Sequence, residues 1–259
     1  MNVFNDKILC LADLHIRFDG SFEMNAVKDI IEREKPVCVL IAGDVFENDI
    51  LFNPYRELAK LKVPVICCFG NHEFAYRSVK EVHDLYSKKY KPDKYDVHYL
   101  DIVGHREIEF NGEKVNIVGN VLWYDGSLKD VPAQKDEIIP QWLDRTIRDF
   151  DFKEENRKCI EQIKMNFIKG EKNILLTHCV PSRLLNLYSL ERQSLYNMYS
   201  GCSLLESFRE EGKYWFDWVI CGHTHRYTTL DYHDQRCVNV GNDYFHRTGE
   251  IKYFTIEDI

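Results

Sequence analysis

The sequence has no long hydrophobic run. Its longest unbroken apolar stretch, Val37 to Ala42, is six residues, against the roughly 18 that a bilayer-spanning helix needs. The first residues, Met1-Asn2-Val3-Phe4-Asn5-Asp6-Lys7, lack a charged n-region, an apolar h-region and a small-residue cleavage site, so neither a membrane anchor nor a secretory signal is expected. There is no C-x-x-C pair. The nine cysteines are an odd number, and Cys10, Cys38, Cys67, Cys68, Cys179, Cys221 and Cys237 lie in or beside apolar runs, where a free thiol acts as a small hydrophobe. Basic charge is in deficit, 34 Lys and Arg against 42 Asp and Glu for a net charge of −8. Such a balance repels polyphosphate backbones at long range, which disfavours nucleic acid as a partner without excluding it. Linkers rich in Pro, Gly or Ser, internal repeats and low-complexity tracts are also missing. These absences point to a soluble protein of a reducing compartment, cytoplasmic, folded as a single domain over 1–259, with oligomeric state open.

What is present is a core and a rhythm. Of the residues, 44% are hydrophobic. Ile8 to Ala12, Val37 to Ala42 and Val65 to Phe69 are short apolar runs. They are separated by helix-spaced segments, Phe22 to Ile31 and Leu51 to Leu61, which gives β-α-β-α-β. Strands with continuous apolar runs are buried on both faces, as in parallel sheets whose functional loops lie beyond the strands' carboxyl ends. A helix is expected over Ser78 to Lys89. Arg106 to Phe110, Asn111-Gly112 and Lys114 to Gly119 read as a hairpin with a primed turn. A helix from about Glu154 to Ile168 and strands at Ile174 to Thr177, Trp218 to Cys221, Tyr227 to Leu230, Arg236 to Val240 and Glu250 to Ile256 complete the pattern. The fold class is α/β with α/β/β/α layering.

Five motifs follow expected strands: Asp13-Leu14-His15, Gly43-Asp44, Gly70-Asn71-His72-Glu73, His178, and Gly222-His223-Thr224-His225. Their side chains are carboxylate, amide and imidazole, a donor set for borderline-hard divalent ions with no thiolate in it. In an extended segment residues i and i+2 share a face, so Asp13 with His15, and His223 with His225, are each expected to converge. A single such motif is ordinarily a turn former; five in one sheet would be a series of accidents. Paired-cysteine zinc sites and a G-x-x-x-x-G-K phosphate loop are excluded by the residues present. His83, His98, His105, His233 and His246 lack this context and read as surface or structural.

The ordered set D-x-H, G-D, G-N-H-E, H and G-H-T-H resembles that of the calcineurin-like metallophosphoesterases, from Ile8 to about Asn242. The resemblance implies a four-layer α/β/β/α sandwich of two mixed sheets flanked by helices. It also implies two divalent ions, manganese first, or iron or zinc. One would be held by Asp13, His15, Asp44 and His225, and the other by Asp44, Asn71, His178 and His223, with Asp44 bridging. Two such ions lie about 3.5–4 Å apart, activate water to hydroxide and neutralise charge on phosphoryl oxygens. His72 is implied to be the active-site histidine rather than a ligand, with Glu73 expected to orient it. Two departures are visible: Glu47 and Asn48 stand where many members carry an aspartate three residues after the bridging one, and Glu73 replaces an aspartate.

The activity implied is hydrolysis of a phosphomonoester or phosphodiester of a small molecule or nucleotide. Substrate contacts are less legible: Arg183, then Arg17 and Arg226, could clamp a phosphate. The aromatic segment Leu184 to Gly201, about 184–201, reads as an insertion that could be a lid, a dimer contact or a packed helix. Trp123-Tyr124-Asp125 could line the cleft or cap a sheet. Two other readings compete. One is a DNA nuclease of the double-strand-break repair type, disfavoured because basic clusters are short (Lys88-Lys89, Lys91). The other is an inactive scaffold of the same fold, disfavoured because every ligand and His72 are present.

Overall fold

The computed structural model describes residues 6–17, 21–47, 53–129, 142–186, 195–210, 213–232 and 235–259. The apolar runs become buried strands: β1 (Ile8–Leu11), β2 (Cys38–Ala42) and β3 (Val65–Cys68). With β4 (Val97–Tyr99) they pair in parallel. β13 (Phe254–Ile256) adds antiparallel to β1, giving the order β13-β1-β2-β3-β4. The second sheet contains β5 (His105–Phe110), β6 (Glu113–Asn120), β7 (Lys172–Thr177), β10 (Trp218–Cys221), β11 (Tyr227–Tyr232) and β12 (Gln235–Val240), in the order β11-β12-β10-β7-β6-β5. Its inner strands are parallel and its two edges antiparallel. A two-residue pair, β8 (Arg209–Glu210) with β9 (Lys213–Tyr214), stands apart.

Side-chain alternation along these strands builds the layers. Ile8, Cys10, Leu40, Ile66 and Cys68 face Ile117, Ile174, Leu176, Ile220 and Val238 in a core between the sheets. Leu9, Leu11, Val39, Ile41 and Val65 point the other way. There they pack with Val27 and Ile30 of α1 (Ser21–Glu34), Tyr55 and Leu58 of α2 (Pro54–Leu58), and Val82 and Tyr86 of α3 (Val79–Lys89). The outer face of the second sheet, with Val118, Leu175 and Val219, is covered by Ile163 of α5 (Phe152–Asn166). The result is two mixed sheets flanked by helices. All nine cysteines are free, and all but Cys159 are buried.

The expected hairpin is present, with Asn111 at φ +51° and Gly112 at +80° supplying the primed turn. The helix at 78–89 begins at a capping box between Ser78 and Glu81. The segment expected as a helix at 51–61 is shorter, α2 followed by a 3₁₀ turn over Ala59–Leu61; residues 51 and 52 lie outside the described part. Β-structure expected from Glu250 is confined to β13. Lys252 spends its backbone groups on one side chain instead: its N–H donates to Asn242 Oδ1 at 2.5 Å and its carbonyl accepts from Nδ2 at 2.9 Å. β4 and the one-turn α4 (Leu100–Val103) were too short to show a period. No helix among the described residues is long and apolar enough to cross a membrane.

Candidate metal centre

The motif residues lie just beyond the carboxyl ends of β1, β2, β3, β7 and β10, where the two sheets meet. Convergence comes from tight turns, not from strand alternation as the i, i+2 spacing suggested. Asp13, His15, Asp44, His223 and His225 have φ of +51°, +44°, +48°, +70° and +54°, left-handed conformations that cost of order 1–3 kcal/mol each and collect at functional sites. Two glycines allow the approach. A Cβ on Gly43 (φ +77°) would lie 2.4 Å from His178 Nδ1, and one on Gly70 would lie 2.0 Å from Asp44 Oδ1, closer than any side chain can sit.

Three donors form the inner half of the centre. His178 Nδ1 is 2.9 Å from the Ala42 carbonyl and His223 Nε2 is 2.8 Å from the Tyr199 carbonyl. A carbonyl only accepts, so both protons reside on those nitrogens, leaving His178 Nε2 and His223 Nδ1 as bare lone pairs. These two atoms are 3.0 Å apart, and Asn71 Oδ1 is 2.9 and 3.1 Å from them. Asn71 Nδ2 donates to Asp144 Oδ1 at 2.8 Å. Three acceptors thus face one another with no hydrogen between them, and Asp44 Oδ2 is 3.5 Å from His178 Nε2. Around an ion with bonds of about 2.1 Å, neighbouring donor atoms lie about 3.0–3.4 Å apart. The atoms already stand at nearly that spacing.

The outer half is less tied. His15 Nε2 is 3.2 Å from His225 Nε2 and 3.7 Å from Asp44 Oδ2. Asp13 Oδ2 and His15 Nδ1 are buried with no hydrogen-bond partner among the described residues; a cation at this centre would relieve the carboxylate oxygen. Ligand atoms of Asp13, His15, Asp44 and His225 lie within 4.8 Å of one another. Asp13 Oδ1 accepts from the His223 N–H at 3.0 Å, which stitches the halves together. Tyr244 covers this side, its ring 4.4 Å from that of His15 and 5.0 Å from that of His225.

Electrostatics suit a dication. Burial lowers His178 to about 3 and His225 to about 4, and holds His15 well below its usual value, so the imidazoles stay neutral and able to ligate. Burial opposes charge on Asp44 too, but at the low pH where its carboxyl would titrate, the then-protonated rings of His178, His72 and His15, with the His72 N–H, outweigh burial and keep that carboxyl well below the ordinary range. Asp13, buried and facing Asp44, is pushed well above that range: without a cation the two carboxyls do not share their charge comfortably.

His72 starts a 3₁₀ turn (His72–Phe74), so the backbone bends after Asn71. Its N–H donates to Asp44 Oδ1 at 3.0 Å, and its ring, 4.5 Å from that of His15, is partly exposed with Nε2 3.7 Å from Asp44 Oδ2. Glu73, expected to orient His72, is buried with its oxygens on backbone N–H groups, Gly70 at 2.8 Å and Val45 at 3.0 Å. It joins the loops after β2 and β3. Glu47 Oε1 is 3.9 Å from His15 Nδ1.

Arg17, Arg183 and Arg226 are exposed. Trp123 and Tyr124 are buried beneath it, and the Tyr124 hydroxyl donates to Asp144 Oδ2 at 2.9 Å. Of segment 184–201, residues 187–194 lie outside the described part; the remainder contains the 3₁₀ turns Arg183–Leu185 and Leu195–Tyr199 rather than an α-helix. His98 is buried between Tyr90 and Asp96 and His105 bonds Asn166, both structural. His233 and the His246 side chain are outside the described part.

Asp144, the Tyr199 carbonyl and Tyr244 have no counterpart in the motif reading. Tyr244 alone had a signal, because it follows the carboxyl end of β12.

The family model for calcineurin-like phosphoesterases matches residues 6–227. No curated protein matches the chain. Among solved structures, the phosphopantetheinyl hydrolase of Mycobacterium tuberculosis is 15% identical, with 97% of this chain and 96% of that one covered at a TM-score of 0.70. A dimetal phosphatase from Danio rerio is 13% identical, with 97% and 92% covered at 0.54. A 5'-nucleotidase described as putative, from Staphylococcus aureus, is 15% identical, with 91% and 48% covered at 0.53. At these identities the likeness is one of fold.

Proposed function

Because the chain belongs to the calcineurin-like phosphoesterase family, we propose that it is a hydrolase that cleaves phosphate esters at two divalent ions. The observation that carries this reading is the set of facing acceptors, His178 Nε2, His223 Nδ1 and Asn71 Oδ1, within 3.1 Å of one another; with the Asn71 amide turned as it is, a cation among them satisfies all three at once. Asp44, Asn71, His178 and His223 hold one ion, and Asp13, His15, Asp44 and His225 the other. When bound, such a pair lowers the pKa of water and neutralises charge on the phosphoryl oxygens. Oxygen and nitrogen donors without thiolate suit manganese, with iron and zinc as the other choices.

The chain's own residues do the rest. The backbone bond from His72 to Asp44 fixes the 3₁₀ turn so that the imidazole stays at the rim of the centre, where it donates a hydrogen bond or proton to an ester oxygen. Asp44, held anionic, balances both cations. Arg183, Arg17 and Arg226 are the candidates to clamp a phosphate. The substrate is a phosphomonoester or phosphodiester of a small molecule or nucleotide.

The test is a panel on metal-stripped and manganese-loaded protein: an aryl phosphomonoester, a bis(aryl) phosphate, cyclic nucleotides and single-stranded DNA. Hydrolysis of a small ester only after loading, with two ions per chain, is expected. Cleavage confined to DNA would favour the nuclease reading, and two bound ions with no turnover of any ester would favour a scaffold.

A further inference from the structure

We propose that Asp144 is a positioning residue that decides which atom of the Asn71 amide faces the metal centre. This rests on the two-ion reading above. The oxygen and NH₂ of an amide have nearly the same shape, so local partners decide its orientation. On the inner side Asn71 meets two bare imidazole lone pairs, His178 Nε2 at 2.9 Å and His223 Nδ1 at 3.1 Å. Left with those alone, the amide would turn its NH₂ inward and donate to both. That orientation fills the ion's place with N–H groups and offers no donor atom, because an amide nitrogen has no available lone pair.

What opposes it lies on the outer side. Asp144 is fully buried, and its Oδ2 already accepts from the Tyr124 hydroxyl at 2.9 Å and from Trp142 Nε1 at 3.0 Å. An indole N–H can only donate, so the carboxylate is pinned. Its Oδ1 is 2.8 Å from Asn71 Nδ2. A reversed amide would press its oxygen against that of a fully buried carboxylate at that distance, a cost greater than the hydrogen bonds gained inside. The carboxylate therefore turns the Asn71 oxygen toward the ion.

The same short turn reaches a second ligand. Trp142 caps the 3₁₀ turn Leu143–Thr146 that carries Asp144, and its ring stacks on Tyr199 at 5.4 Å. The Tyr199 carbonyl is what sets the His223 tautomer. A segment outside every motif thus orients two donors of the inner ion.

The experiment is manganese titration by calorimetry, with metal analysis, of stripped wild type, Asp144→Asn, and the crossed double variant Asn71→Asp with Asp144→Asn. Wild type binds two ions. Asp144→Asn keeps one at wild-type affinity and weakens the other by about tenfold to a hundredfold, the range for such outer partners. The double variant regains both, because a carboxylate at 71 presents an oxygen whichever way it turns and an amide at 144 donates to it. Rescue separates orientation from packing, since a merely structural loss would persist. Two ions at full affinity in Asp144→Asn, or no recovery in the double variant, overturns the inference. If Asp144→Asn does not fold, the double variant decides alone: two ions support the inference, and fewer, or failure to fold, overturn it. Fewer than two ions on wild type would overturn the two-ion reading itself and this inference with it.

Discussion

The two halves of the centre are built by different means. Each inner donor is held from behind by a hydrogen bond: His178 by Ala42, His223 by Tyr199, Asn71 by Asp144. Of the outer donors, Asp13 is held at one oxygen by the His223 N–H, and the two imidazoles are held by backbone conformation and contact. Asp13, His15 and His225 sit at positive φ, two of their polar atoms have no partner among the described residues, and Tyr244 rests against both imidazoles. Hydrogen bonds fix the direction of a lone pair, whereas turns fix only where a side chain starts. The inner half is therefore the better organised for an ion before one arrives, and we expect it to fill first and more tightly.

Asp44 belongs to both halves, so Asp44→Asn should erase the difference by damaging both. A neutral amide cannot balance two cations, and turnover should fall by about a thousandfold or more, several kcal/mol of electrostatic stabilisation. Metal titration should show both ions weakened, and more than in His15→Ala. Equal, mild losses in the two variants would refute the bridging role.

On the proposed assignment His72 belongs to neither half, although its ring also gathers with His15 and Glu47 in a group that could hold an ion. His72→Asn should leave two ions bound while kcat falls by about 10²–10⁴-fold, with a smaller loss for nitrophenyl esters than for alkyl esters, whose leaving group needs a proton. A uniform loss would assign His72 to phosphate positioning; loss of an ion would make it a ligand.

Tyr244 separates the halves directly. Replacing it with Leu removes the ring that backs His15 and His225, and the outer ion should weaken by about tenfold, the low end for outer partners, with the inner ion unchanged. Parallel weakening of both ions would mean the halves are not independent.

The effect furthest from the comparison concerns stability rather than metal binding, in the platform beneath the centre. Asp101, in α4, accepts from the Phe69 N–H at 2.7 Å and the Val121 N–H at 2.9 Å, joining the loops after β3 and β6. Burial raises it to about 7 against the lowering effect of those bonds. A carboxyl with a raised folded-state pKa contributes stability below its unfolded value that disappears as pH rises through the folded one. Denaturation should show wild type losing up to about 4 kcal/mol of stability relative to Asp101→Asn between pH 4 and 8. A gap independent of pH would show that Asp101 does not titrate there.

Much of this architecture is legible in the chain itself. Strands buried on both faces announce themselves as apolar runs, and polar residues at their ends mark where loops gather, so the meeting of Asp13, His15, Asp44, Asn71, His178, His223 and His225 could be anticipated. The manner of meeting could not. Alternation put His15 beside Asp13 for a reason the left-handed turns replace, and the carboxylate of Glu73 went to backbone groups that carry no sequence signal. Asp144 sits 73 residues from the amide it holds, in a stretch with no period. A main-chain carbonyl such as that of Tyr199 looks the same in every residue.

One feature of the stitching bears on how the protein is made. Asp13 receives the N–H of His223, 210 residues later, and Ala12 is tied at its carbonyl by Asn242 at 3.0 Å. β1 also lies between β2 and β13. During synthesis at about 5–20 residues per second, the segment bearing Asp13 and His15 waits some ten seconds or more for its partners. On the proposed assignment, a nascent chain halted before residue 223 lacks His223 and His225 and so has neither site complete, which would place metal capture among the last steps of biogenesis.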